Sequence, residues 1–209
     1  MGIDSTRVEV PRTPPDLMVR LGGWLFKQRS WLPVPIALAL ILLPPSSGPA
    51  ALNVAGVSMV AAGEALRLWA VHHIGVVSRT RSQRLGPLIA TGPFGHVRNP
   101  LYLGNLGLWF GFALTAGLVW LAPIVLVLLA AEYHAIVRWE EELLSARMGS
   151  AYQSYLAQVP RWIPTLRSVA RERQAAGSSW RDTLFSERST LLAIGLGYLV
   201  LWIKLGAGS

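Results

Sequence analysis

The residues best equipped for chemistry lie between Leu88 and Pro164. The first group reads Gly92-Pro93-Phe94-Gly95-His96-Val97-Arg98-Asn99-Pro100-Leu101-Tyr102. Gly-Pro marks a turn, and Asn99 before Pro100 is an N-cap followed by proline at the first helical position. A helix N-terminus beside Arg98 favours an anionic group, although the same pattern also describes a capped helix whose arginine meets lipid phosphate. The second group is Arg138-Trp139-Glu140-Glu141-Glu142. Three successive carboxylates need partners. Adjacent helical residues diverge by about 100°, so Glu140 and Glu141 cannot both point at one atom. Glu142 reads as part of a solvated face. Trp139, Leu143, Met148, Tyr152 and Tyr155 form an apolar stripe at helical spacing.

Other ionisable residues fall inside apolar runs. Glu64 and Arg67 stand three apart and can pair on one helix face, either as a functional intramembrane charge pair or as a brace for the following helix. Glu132 lies in a later run and could line the path of a lipophilic substrate. His96 and His134 are conceivable general bases. His72 and His73 are adjacent, without metal-ligand spacing, and no metal site is expected.

The elements that must position these groups are membrane helices. The chain has 209 residues, 52% of them hydrophobic and only 14% charged, with a formal net charge of +8. Its mean hydropathy is +0.42. Soluble domains carry roughly 25% charged residues, and disorder requires low hydrophobicity, so both classes are excluded. The absence of cysteine removes disulfides, thiolate metal sites and a catalytic thiol. The first thirty residues contain Asp4, Glu9, Asp16 and three prolines, so no cleavable signal peptide is expected.

Five apolar stretches follow: Trp31 to Leu43, Ala50 to Val71, Leu101 to Ala116, Val119 to Val137 and Thr190 to Leu205. The expected fold is therefore all-α, a polytopic membrane helical bundle of about five transmembrane helices plus interfacial amphipathic helices. Leu17, Leu21, Trp24 and Leu25 predict one such interfacial helix ahead of the first span. All but Lys27 and Lys204 of the 19 basic residues are arginine. Arg20, Lys27 and Arg29, then Arg79, Arg81, Arg84 and Arg98, then Arg138, Arg147, Arg161, Arg167, Arg171, Arg173, Arg181 and Arg188 alternate with two uncharged connections, Pro44 to Pro49 and the turn near Gly117. The positive-inside rule then makes the basic side cytoplasmic, with the N-terminus and the chemistry on that side. Topology and anionic lipid account for the net charge without nucleic acid.

The ordered set of motifs resembles the isoprenylcysteine carboxyl methyltransferase and phospholipid methyltransferase family. The resemblance is carried by Gly92, Pro93, Phe94, Arg98, Pro100, Tyr102 and Gly104, the Glu140-Glu141 pair, Gly149, Tyr152 and Tyr155, and the Val159-Pro160-Arg161-x-x-Pro164 close, with the Gly63 to Ala70 run before them. Asn99 departs from the histidine usual in the carboxyl methyltransferases and matches the Asn-Pro-x-Tyr frequent in phospholipid methyltransferases. Met148 replaces a phenylalanine. The organisation expected is 1–30 an N-terminal interfacial segment, 31–54 a first span and outer turn, 55–165 a methyltransferase core, and 166–209 an Arg-rich segment with a last span.

The resemblance implies an integral membrane enzyme that moves the methyl of S-adenosylmethionine to a lipophilic acceptor, a phospholipid amine or a prenylcysteine-like carboxylate, at the membrane surface. Glu140 or Glu141 would take the donor's ammonium and Arg98 its carboxylate. Tyr102 and Trp139 are candidates for cation–π contact with the sulfonium. Gly92, Pro93, Phe94, Val97 and Asn99 would bound the cofactor pocket, and Arg161 would close it or pair with a glutamate. Glu64, Arg67, Glu132 and His134 are candidates on the acceptor side. Membrane reductases of the sterol reductase type look similar around the arginine segment and would bind NADPH, but the Glu-Glu pair and the Val-Pro-Arg close favour the methyltransferase. A lipid-binding scaffold would explain the spans and leave those motifs without a role.

Overall fold

In a computed structural model the described residues are 16–46, 49–75, 88–166 and 179–207, and among them the chain is helical without a strand. The helices are α1 (Leu17–Gln28), α2 (Pro33–Leu42), α3 (Ala50–Ile74), α4 (Pro100–Thr115), α5 (Leu121–Met148), α6 (Ser150–Gln158) and α7 (Trp180–Ala207), with a 3-10 turn at Gly92–Gly95. Three of them, α3, α5 and α7, are long and apolar enough to cross a membrane, and α1 with α2 makes a fourth candidate if the pair is one span bent by 59°. Of the about five spans expected from hydropathy, helix length and composition therefore give three or four among the described residues. Pro100 sets the start of α4 and the turn at Gly117 follows its end, leaving 16 residues, or about 24 Å, against a hydrocarbon core of about 30 Å. Helix α2 has only 10 residues. The last helix errs the other way: it starts ten residues before Thr190 and runs for 28, about 42 Å.

The most extensive helix pair is α3 with α4, and glycine makes it possible. A Cβ on Gly63 would stand 2.7 Å from the Gly104 carbonyl oxygen, and one on Gly111 would stand 2.5 Å from that of Gly56. Backbones in contact at such points gain dispersion where lipid supplies no hydrophobic drive. Helix α4 then folds back on α5, where Leu114, Leu118 and Ala122 join one apolar cluster and Val125, Leu129, Tyr133 and Ile136 another. Helix α1, expected from sequence as an interfacial helix, is packed on α5.

The two uncharged connections meet at one end: Ser46 donates to the Gly117 carbonyl through both its backbone N–H, at 2.9 Å, and its hydroxyl, at 2.5 Å. Arg98, Arg138 and Arg161 belong to the opposite end of the α4–α5 hairpin, so the charge asymmetry read from sequence is realised in space for these residues. Arg79, Arg81, Arg84, Arg167, Arg171 and Arg173 lie outside the described residues.

Candidate active site

The charged end of the hairpin is built from three strips of chain: the turn leading into α4, the last turns of α5, and the segment after α6. Helix α5 is 28 residues long, about 42 Å, so the turns carrying Glu140 and Glu141 extend past its apolar part. It stops at Gly149, whose φ of 54° and ψ of −130° suit only glycine. The chain then turns back as α6, and the apolar stripe predicted through Tyr155 is divided between two helices. Tyr152 and Tyr155 are buried with Val159 against Leu88, Ala90 and Leu144. Burial drives both phenols well above their ordinary pKa, so they are neutral donors. The Tyr155 hydroxyl donates to the Phe94 carbonyl at 2.9 Å, tying α6 to the Gly-Pro turn.

The Val-Pro-Arg close pairs with the arginine segment. The Arg98 N–H donates to the Pro160 carbonyl and the Thr165 N–H to that of His96, each at 2.9 Å. His96 adds a side-chain bond of 2.7 Å from Nδ1 to the Thr165 carbonyl, so Nδ1 carries the proton in that bond. Asn99 occupies the N-cap position of α4, but its side chain makes no cap bond. Its amide donates to the Arg161 carbonyl at 3.1 Å instead. The capping role expected for that side chain is thus corrected: it secures the closing segment.

Glu141 is the hub. Arg161 grips it with two bonds, Nε to Oε1 at 3.0 Å and Nη2 to Oε2 at 2.6 Å, and Arg98 Nη1 adds a third to Oε1 at 2.7 Å. The carboxylate is 12% exposed, so the three bonds form where water competes weakly. The hydrogen-bonded carboxylate raises the Arg161 pKa above its ordinary value. Glu140 points elsewhere, as the 100° rule requires: its Oε1 accepts the Tyr102 hydroxyl at 3.1 Å. Tyr102 also meets Tyr133 in a tilted ring contact, 4.8 Å between centroids. Trp139 lies against Phe26 of α1, 4.8 Å between centroids. Glu142 is exposed, as read from sequence. One donor of the cluster, Arg98 Nε, is buried without a hydrogen-bond partner.

Pro93, Phe94 and Val97 are buried. Gly92, with a φ of 57°, packs where a Cβ would stand 2.5 Å from the His73 ring. His72 turns away to stack on Trp180 at 4.1 Å, so the two adjacent histidines serve different helices. His134 accepts a long 3.4 Å bond at Nδ1 from the Trp162 indole N–H, which leaves the ring proton of its neutral form on Nε2.

A second polar cluster gathers around Arg67 of α3. Arg67 Nε bonds Glu64 at 3.2 Å, and its Nη2 bonds Glu187 at 2.6 Å and Thr190 at 3.2 Å. Its Nη1 donates to Asn105 on α4. The predicted Glu64–Arg67 pair is therefore present, and Arg67 braces α4 as the second sequence reading had it, with α7 added. Asn105 and Glu187 were not singled out from sequence. Glu187 fell outside a span begun at Thr190, and the signal for it was a carboxylate one helical turn before that threonine. Glu132 is on neither cluster, and its Oε1 is buried without a hydrogen-bond partner.

Residues 52–151 match the family model described as phospholipid methyltransferase. Over 111 residues the chain is 32% identical to the nickel-cobalt-cadmium resistance protein NccN of Alcaligenes xylosoxydans xylosoxydans, a match covering 53% of this chain and 47% of that protein. The chain thus spans about half the length of the curated relative it matches. No solved structure matches. The family region holds α3, α4 and α5, with Arg98, Tyr102, Glu140 and Glu141 on or beside them, and over this region the chain is similar to the phospholipid methyltransferase family.

Proposed function

We propose that the protein is an integral membrane methyltransferase that uses S-adenosylmethionine and methylates a lipophilic acceptor at the cytoplasmic face, with α2 and α4 completing the bundle within the bilayer. The observation that carries this reading is the division of labour in the glutamate pair. Glu141 is saturated by two arginines, whereas Glu140 meets only a tyrosine hydroxyl and Arg98 keeps a buried donor unused. An orphaned guanidinium N–H on Arg98 and a carboxylate on Glu140 that no cation hydrogen-bonds suit the carboxylate and ammonium of an amino-acid zwitterion.

When bound, the donor supplies a methyl group made electrophilic by the sulfonium to which it is attached. The protein's part is positional. Arg98 and Glu140 hold the amino-acid end, Tyr102 and Trp139 offer aromatic faces to a cation, and Pro93, Phe94 and Val97 exclude water. Holding nucleophile, methyl and sulfur in line can supply roughly 7–11 kcal/mol of the barrier. An amine acceptor must also lose a proton, and of the two histidines His96 leaves Nε2 bare in its neutral form, while His134 does not. The name of the relative speaks of nickel, cobalt and cadmium. Among the described residues no three His, Cys, Asp or Glu side chains gather as ligands, so the reading follows the family rather than that name.

The test uses protein in lipid nanodiscs with methyl-labelled S-adenosylmethionine and a total lipid extract. Label should enter the organic phase and vanish in Glu140→Gln and Arg98→Ala. S-adenosylhomocysteine at 100 times its dissociation constant should stabilise the parent by about 2.7 kcal/mol. Folded protein showing neither label nor this stabilisation would overturn the proposal, and stabilisation by NADPH instead would point to a reductase.

A further inference from the structure

Helix α1 lies outside the family region 52–151, yet it is packed onto the site. Gly22, Phe26 and Arg29 recur at four and then three residues, which puts them on one side of the helix and its C-cap. The glycines allow the approach: a Cβ on Gly22 would stand 2.0 Å from the Ala135 carbonyl oxygen, and one on Gly23 would stand 3.0 Å from Trp139 Nε1. The Phe26 ring then meets Trp139, and the Arg29 guanidinium sits over the Phe26 ring, 3.9 Å from its centroid. Trp139 adjoins Glu140, and Arg29 is within electrostatic range of both Glu140 and Tyr102. No carboxylate among the described residues lies within ion-pair distance of Arg29. It is a cation held at the site by an aromatic stack and left with its donors unused.

Resting on the methyltransferase reading, we propose that Arg29 binds the oxyanion, phosphate or carboxylate, of an amphiphilic acceptor. The donor's own carboxylate is already provided for by Arg98, beyond Glu141. Arg29 stands instead at the 59° bend between α1 and α2, where the chain passes into the apolar helix. From there Trp31, Val34 and Leu38 run along one exposed face, 70%, 41% and 50% accessible, as a track for an acyl chain whose head is at Arg29.

The test titrates dodecyl phosphate, dodecanoate and inorganic phosphate into the protein in dodecyl maltoside micelles, reading thermal stabilisation. The variants are Arg29→Met, which keeps an apolar stem over Phe26, and Arg29→Lys. The parent should bind an amphiphilic anion saturably. Arg29→Met should weaken that binding by about tenfold or more, the usual worth of a charge-assisted hydrogen bond, and Arg29→Lys should weaken it less. Stabilisation by S-adenosylhomocysteine should be equal in all three proteins. Dodecyl phosphate and dodecanoate tell the two oxyanions apart, and inorganic phosphate binding as tightly as either would reduce the site to a simple ion site. Unchanged amphiphile binding in Arg29→Met would overturn the proposal, as would parallel loss of S-adenosylhomocysteine stabilisation. If the parent ignored S-adenosylhomocysteine but bound dodecyl phosphate through Arg29, the methyltransferase reading would fail while the oxyanion site stood.

Discussion

Replacing Glu141 by glutamine removes the charge that Arg98 and Arg161 share. Three hydrogen bonds are affected, and the glutamine amide can still accept at one oxygen while its NH2 group faces the other arginine contact. A hydrogen bond to a charged group is worth about 1.5–3 kcal/mol. Arg161 is 28% exposed and Arg98 15%, so water recovers part of what is lost at the former and less at the latter. We expect a net cost of about 3 kcal/mol, within the range for breaking a buried pair from one side. The backbone bonds from Arg98 to Pro160 and from Thr165 to His96 persist, so the closing segment should loosen rather than detach. Glu140→Gln loses far less, because the Tyr102 hydroxyl can still donate to the amide oxygen. Thermal unfolding in nanodiscs should therefore separate the neighbours: Glu141→Gln melts well below the parent, whereas Glu140→Gln melts near it but is no longer stabilised by S-adenosylhomocysteine. In a double-mutant cycle, adding Arg161→Ala to Glu141→Gln should cost little more. Equal melting of the two glutamine variants, with Glu140→Gln still stabilised by S-adenosylhomocysteine, would refute the division of roles.

Two further outcomes follow from the packing. Gly111→Leu forces a side chain into the 2.5 Å gap to the Gly56 carbonyl and should separate α3 from α4, costing at least the 1–3 kcal/mol typical of overpacking, about what a thermal melt resolves. Glu187→Ala takes the 2.6 Å ion pair from Arg67, so hydrogen exchange should rise along α7 while α3 and α4 stay protected through Asn105 and their glycines.

What the sequence by itself determined is local. Apolar runs announced α3, α5 and the pairing of α4 with α5, Asn99-Pro100 announced the start of α4, and the helical angle between neighbours already required Glu140 and Glu141 to diverge. Glu64 and Arg67 could be paired because they lie one turn apart. These inferences need only propensities and periodicity, which act over a few residues. Tertiary structure alone decided which glutamate is committed. Arg98 and Glu141 are 43 residues apart, and Arg67 and Glu187 are 120 apart, distances over which no pattern specifies a partner. The same holds for α1, read as an amphipathic helix on the membrane surface. Its two glycines become a contact surface only because α5 presents a backbone close enough to need them. Ion pairs and close backbone approaches are chosen by how helices dock, and docking minimises unpaired polar groups and voids over the whole bundle at once.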